Sequence, residues 1–200
     1  MAIGMAQGKR AKIFTRKQEA AILRHLDGAR YPVRDRAIFL LSVKAGLRAK
    51  EIAALTWAMV TDAEGRVGDQ VALEDRASKG RGGRTIPLHP DLRAALEALM
   101  AKRGDGVDVG LPVIPSERGA GMSAASVTVW FHRLYATLGL VGCSSHSGRR
   151  TFITRAARKI VEAGGSLRDV QQLAGHASLA TTQRYIEGDT DAKRRVVAMI

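Results

Sequence analysis

Apolar and polar positions alternate with two different periods along this chain, and the change of period divides it. A helical period runs over residues 16–26, where Thr15 is placed to cap the first turn and Gln18 to reach back in a capping box. A second helix begins at Pro32, an acceptable first-turn proline, and ends near Gly46; a short third one covers 49–55. The period then shortens. Residues 57–60, 69–73 and 84–88 are β-prone runs separated by Gly-rich polar turns, which predicts a three-stranded antiparallel sheet. Helical spacing returns over 90–102, 123–138, from His146 to the Gly164-Gly165 pair, over 167–174 behind Ser166, and for a turn or two over 178–185. The expected fold is α+β, mainly helical, in one domain. No repeat or low-complexity segment interrupts it.

Composition narrows the function. With 46% hydrophobic and 26% charged residues in 200, the chain is neither a disordered tail nor a fibre. Lysine and arginine number 32 against 19 acids, a net charge of +13 that suits a polyanion. Aromatic residues are only 4%, too few for rows of rings that stack unpaired bases, so duplex DNA is the expected partner. Apolar stretches such as 37–43 fall well short of the roughly 20 residues that span a bilayer. Cys143 is the sole cysteine, so there is no disulfide framework and no Cys-rich zinc site, and the first ten residues lack the apolar stretch of a signal peptide. No membrane association and a cytoplasmic location are the expectation.

Four segments carry candidate chemistry. His146 and Arg149 stand three apart at a helix start, on one face and within reach of one anionic group. Arg48 follows a Gly-containing helix junction in AGLRAKEI, and Glu51, three residues on, is placed to orient its guanidinium; a surface salt bridge worth under about 1 kcal/mol is the plain alternative. The turn SKGRGGR gathers Lys79, Arg81 and Arg84 on a loop whose glycines allow close approach to a ligand, unless it is simply a solvated turn. His176 lies just past Gly175, and Tyr185 nine residues later. In one continuous helix those two would point apart, so for both to serve one site the chain must break between them, with Ser178 capping the break.

Together AGLRAKEI, SKGRGGRTIPL, HSGRRTFIT and LAGHASLATTQRY resemble the tyrosine recombinase, or phage integrase, family, whose order R, K, H-x-x-R, H, Y is met by Arg48, Lys79, His146, Arg149, His176 and Tyr185. The resemblance runs from about Phe14 to Tyr185. It implies the family's catalytic-domain fold over residues 14–188, and a site-specific recombinase or integrase that cleaves and rejoins duplex DNA through a 3′-phosphotyrosyl link, with neither metal nor other cofactor. In that scheme Tyr185 is the nucleophile, His146 its proton acceptor, and Arg48 and Arg149 hold non-bridging phosphate oxygens with planar forks. His176 donates to the phosphate, and Lys79 protonates the leaving 5′-oxygen. Further phosphate contacts are expected from Lys9, Arg10 and Lys12 on a flexible basic arm, residues 1–13, and from Arg81, Arg84 and Arg150.

Two departures stand out. The family's H-x-x-R box commonly has leucine before the arginine and histidine after it, where this chain has Gly148 and Arg150; the glycine costs roughly 1 kcal/mol of helix stability and an apolar anchor. The pattern also begins at about residue 14, without the family's N-terminal core-binding domain, an arrangement similar to the fimbrial phase-switch invertases. The resemblance further implies a homo-tetramer on DNA, accessory DNA-bending or directionality proteins, a bacterial or phage source near the nucleoid, and a tail, residues 189–200, that contacts another protomer or folds back on its own core. The competing readings are a catalytically weak DNA-binding regulator, a partner-dependent truncated integrase, and a relaxing enzyme of the type IB topoisomerase kind. A metal-dependent nuclease fits least, because Asp189 and Asp191 find no matching acids.

Overall fold

The computed structural model describes residues 11–74, 83–104, 106–185 and 198, and the chain divides into two compact units, residues 1–152 and 153–200. The first unit holds α1 (Arg16–Asp27), α2 (Pro32–Lys44), α3 (Ala49–Ala54), β1 (Gln70–Leu73), β2 (Arg84–Pro87), α4 (Pro90–Ala101), α5 (Ala124–Thr137) and the start of α6 (Ser147–Lys159). The second holds the rest of α6, α7 (Leu167–Ala174) and α8 (Leu179–Gln183). The architecture is mainly helical with a small antiparallel sheet.

Local chemistry sets most boundaries. Thr15 Oγ1 accepts from the Gln18 N–H at 3.2 Å while Gln18 Oε1 accepts from the Thr15 N–H at 2.9 Å, the reciprocal box that starts α1. Helix α2 is buried on every side over residues 37–43. Ile38, Phe39, Leu40 and Leu41 are all fully buried, as befits a central helix that packs against α1, α3 and α4. It ends before Gly46, whose φ of +67° favours glycine and whose missing Cβ makes room for the ring of Phe152.

The sheet has two described strands, not three. In their register Val71 faces Ile86 and Leu73 faces Arg84, so positions 71, 73, 84 and 86 share the inward side. Residues 57–59, expected as a strand, form a 3₁₀ turn instead. The cause is the Trp57 carbonyl, which accepts from the N–H groups of Val60 (2.9 Å) and Thr61 (3.0 Å) and from the Thr61 hydroxyl (2.9 Å). Burial of Trp57, Met59 and Val60 together shows the lack of alternation that a strand would need.

Around α5 the core is aromatic. Phe14 lies 5.4 Å from Tyr135 and 5.9 Å from Phe39, and Phe131 stacks on Tyr135 at 5.7 Å between centroids. Burial, and then the neighbouring Cys143, push the Tyr135 hydroxyl well above the usual tyrosine range. Residues 11–14 are held against α6 and the turn before it. The Lys12 N–H donates to Gly142 O (3.0 Å), the Phe14 N–H to Thr151 Oγ1 (2.9 Å), and Arg150 Nη1 to Ala11 O (2.8 Å).

Gly148 has a packing role that its position in the motif did not suggest. A Cβ there would collide with Ser42 Oγ, lie 2.8 Å from Ser42 Cβ and 3.1 Å from the Ser42 carbonyl carbon, so the glycine lets α6 begin directly against α2. The anchor expected to be lost with leucine is replaced by close backbone packing.

In the second unit Ser166 opens α7, its N–H and hydroxyl donating to Asp169 Oδ2 at 2.7 and 2.9 Å. Gly175, left-handed at φ +60°, closes that helix. Ser178 then caps α8, so the chain breaks between His176 and Tyr185 where the spacing requires it.

Candidate functional site

Arg48 caps α3, and the side chain that orients it is Glu51 in the first turn of the same helix. Glu51 Oε2 accepts from the Arg48 N–H at 2.8 Å and Oε1 from Arg48 Nη1 at 2.7 Å. The same carboxylate takes a second arginine: Arg84 Nη1 reaches Oε1 and Arg84 Nη2 reaches Oε2, both at 3.0 Å. The Glu51 and Arg84 side chains are 1% and 6% exposed, against 28% for Arg48. Burial alone would raise the Glu51 pKa, but the hydrogen bonds and charge of Arg84, then those of Arg48, outweigh it and lower it from 4.5 to about 2. Arg84 is thus a buried partner of Glu51, a role that the sequence reading did not assign to it. The missed signal was strand alternation, which puts position 84 on the same side as Ile86.

Arg149 is buried, and its Nη1 donates to Gly46 O at 2.7 Å. Since Gly46 stands two residues before Arg48, the H-x-x-R helix is tied to the junction that carries the other arginine. His146 is exposed just before α6, its N–H donating to Ser144 Oγ at 3.3 Å and its Nδ1 lying 3.4 Å from Ser145 Oγ. Arg150 spends one nitrogen on Ala11 O, and the exposed Lys12 runs its aliphatic stem over Gly142. Lys79, Lys9, Arg10 and Arg81 lie outside the described residues, as does the tail apart from residue 198.

The second unit brings His176 and Tyr185 together. Their rings stack at 5.4 Å between centroids with 23° between planes. His176 is 8% exposed, and its Nδ1 sits 2.9 Å from the buried Thr182 hydroxyl, a contact that fixes the ring. Its backbone is held by Gln171 at both ends, the His176 N–H donating to Gln171 O (3.1 Å) and Gln171 Nε2 to His176 O (3.0 Å). The candidate residues therefore fall into two sets, one in each unit. Among the described residues no group of three His, Cys, Asp or Glu is placed to hold a metal ion, and no helix is long and apolar enough to cross a membrane.

The chain is similar to known proteins. Tyrosine recombinase XerC of Xylella fastidiosa (strain 9a5c) is 33% identical over 158 residues, covering 78% of this chain and 49% of the relative. XerC of Brucella suis biovar 1 (strain 1330) is 31% identical over 158 residues, covering 78% and 47%. The chain spans about half the length of these curated relatives. Among solved structures, XerH recombinase bound to palindromic difH substrate in a post-cleavage complex has a TM-score of 0.74 at 19% identity, covering 99% of this chain and 55% of that one. The Tn1549 transposon integrase in complex with transposon right end DNA gives 0.68 at 21%, covering 95% and 66%. These two likenesses concern the fold. The pattern that defines the phage integrase family matches residues 12–191, and with it the chain belongs to the phage integrase family of tyrosine recombinases.

Proposed function

We propose that the chain catalyses site-specific cleavage and rejoining of duplex DNA, with Tyr185 as nucleophile and no metal ion. The observation that carries this reading is the stacking of His176 on Tyr185, produced by a helix break between them that neither residue would need if it only filled the core. The Tyr185 oxygen attacks the scissile phosphorus and gives its proton to His146 or water. The bond to the 5′-oxygen breaks, and Lys79 protonates that oxygen. The product is a 3′-phosphotyrosyl link and a free 5′-hydroxyl, from which the reverse steps rejoin a strand. Arg48 and Arg149 supply the charge stabilisation on which phosphoryl transfer mostly depends. His176 donates to the phosphate, its ring oriented by Thr182.

Duplex DNA as substrate is supported by the charge of +13 and by structural neighbours whose own structures hold their DNA sites. Synapsis of two duplexes by a tetramer, help from accessory DNA-bending or directionality proteins, and work at the nucleoid complete the proposal. Covalent trapping tests it. The protein is incubated with a random-sequence pool of nicked suicide duplexes in EDTA, denatured in SDS and compared with Tyr185→Phe. An EDTA-resistant DNA adduct absent from the variant is the expected result. Salt-sensitive duplex binding without any adduct would replace this reading with that of a regulator or a partner-dependent integrase.

A further inference from the structure

The geometry points to Arg84 as a positioning residue that leaves the charge of Arg48 available to a phosphate by supplying the counter-charge to Glu51. Three charged groups meet at this carboxylate, and their disposition is unequal. Glu51 and Arg84 are sealed from water at 1% and 6% exposure, while Arg48 keeps 28% of its side chain exposed. Arg84 gives both terminal nitrogens to the carboxylate, one to each oxygen at 3.0 Å, whereas Arg48 gives one terminal nitrogen at 2.7 Å. Arg84 takes up the charge of Glu51, and of the two arginines on this carboxylate Arg48 is the one that keeps its exposure. Without Arg84, Arg48 and Glu51 form a neutral pair that offers an approaching phosphodiester hydrogen bonds but no net charge. Glu51 would also draw the Arg48 fork onto itself, since each of its oxygens loses a donor.

Strand geometry explains how Arg84 comes to be there. It opens β2 opposite Leu73, on the inward side shared with Ile86, so its long stem crosses the apolar layer and ends on α3. A lysine there would keep the counter-charge and lose the bidentate grip. This inference rests on the proposed strand-cleavage reaction, because the charge on Arg48 matters only if a phosphate is its target.

The test measures single-turnover adduct formation by the full chain on a nicked duplex recovered from the trapping pool, alongside duplex affinity and thermal melting. Arg84→Met is expected to slow adduct formation about 100-fold, the scale of losing one electrostatic stabiliser, with duplex affinity changed less than about threefold. Adding Glu51→Gln to Arg84→Met removes the neutralising carboxylate, keeps an amide for Arg48, and is expected to recover about tenfold of the lost rate. Arg84→Lys, which retains a charge beside Glu51 and so the buried ion pair, is expected to stay within about tenfold of wild type, and it provides the comparison should Arg84→Met fail to fold. Equal rates for wild type and a folded Arg84→Met overturn the inference, as does a double variant no faster than Arg84→Met. So does Arg84→Lys no faster than the double variant. If the wild type forms no adduct on any duplex, the cleavage reading itself has failed and takes this inference with it.

Discussion

The arginine cluster of the first unit and the histidine–tyrosine pair of the second are built in opposite ways. Glu51 accepts four hydrogen bonds from two arginines, is almost wholly buried, and ties a helix to a strand more than thirty residues away. His176 and Tyr185 flank α8, a helix of five residues, with the His176 ring against the Thr182 hydroxyl and stacked on Tyr185. The contrast teaches that, under the proposed reaction, the charge-holding group is fixed from a helix and a strand, while the bond-forming group stands beside a short helix. Short helices draw little stability from their own hydrogen bonds, so α8 is suited to shift when a ligand arrives.

Breaking the first side of this comparison has the largest effect. Glu51→Ala removes the carboxylate that two arginines share, one of them buried, and is expected to cost about 3–5 kcal/mol, the penalty for halving a buried ion pair, read by urea unfolding at pH 7. The same group sets a pH dependence. Because its pKa falls from 4.5 to about 2 on folding, its contribution is complete above pH 4.5 and disappears as the pH drops toward 2. A Glu51→Gln protein should therefore show a flatter acid limb in that window; an unchanged limb would mean that other carboxylates dominate it.

Gly148→Leu, which restores the family's usual residue, should destabilise by about 1–3 kcal/mol through overpacking against Ser42, visible as a lower thermal midpoint. A gain in stability would show that α6 can back away from α2. On the second side, Thr182→Val removes the hydroxyl that holds His176 and is expected to cost about 1 kcal/mol of stability while lowering adduct yield. Smallest of all is Tyr135→Phe. Its hydroxyl is buried with no hydrogen-bond partner among the described residues, so its loss should change unfolding free energy by less than about 0.5 kcal/mol and leave adduct formation intact, in sharp distinction from Tyr185→Phe.

Much of this was legible in the sequence where the controlling chemistry is local. Thr15 with Gln18, Ser123, Ser166 and Ser178 mark helix starts because their caps bond within four residues, and Pro32 marks one because its fixed φ suits a first turn. The pairing of Glu51 with Arg48 was expected from spacing, and the break before α8 from spacing on the condition that His176 and Tyr185 serve one site. What escaped were effects that depend on distant partners. Residues 57–60 have strand-like composition, yet the Trp57 carbonyl collects three donors and curls them into a turn. The inward aim of Arg84 needed the register with Leu73, and the value of Gly148 needed Ser42 on another helix. The arm expected over residues 1–13 is fastened in its described part, since Ala11 and Lys12 each hold a long-range hydrogen bond.

That fastening has a consequence for the order of events at the ribosome. Phe14 is 137 residues from Thr151 in sequence, and Ala11 is 139 from Arg150, so residues 11–14 wait for the next 140 or so to be made before their backbone finds its partners. At ordinary elongation rates of about 5–20 residues per second the delay is on the order of ten seconds, during which the Phe14 ring has neither Tyr135 nor Thr151 to cover it. Closing this long loop is therefore a late step in consolidating the first turn of α6, and with it Arg149, the arginine that reaches back to Gly46.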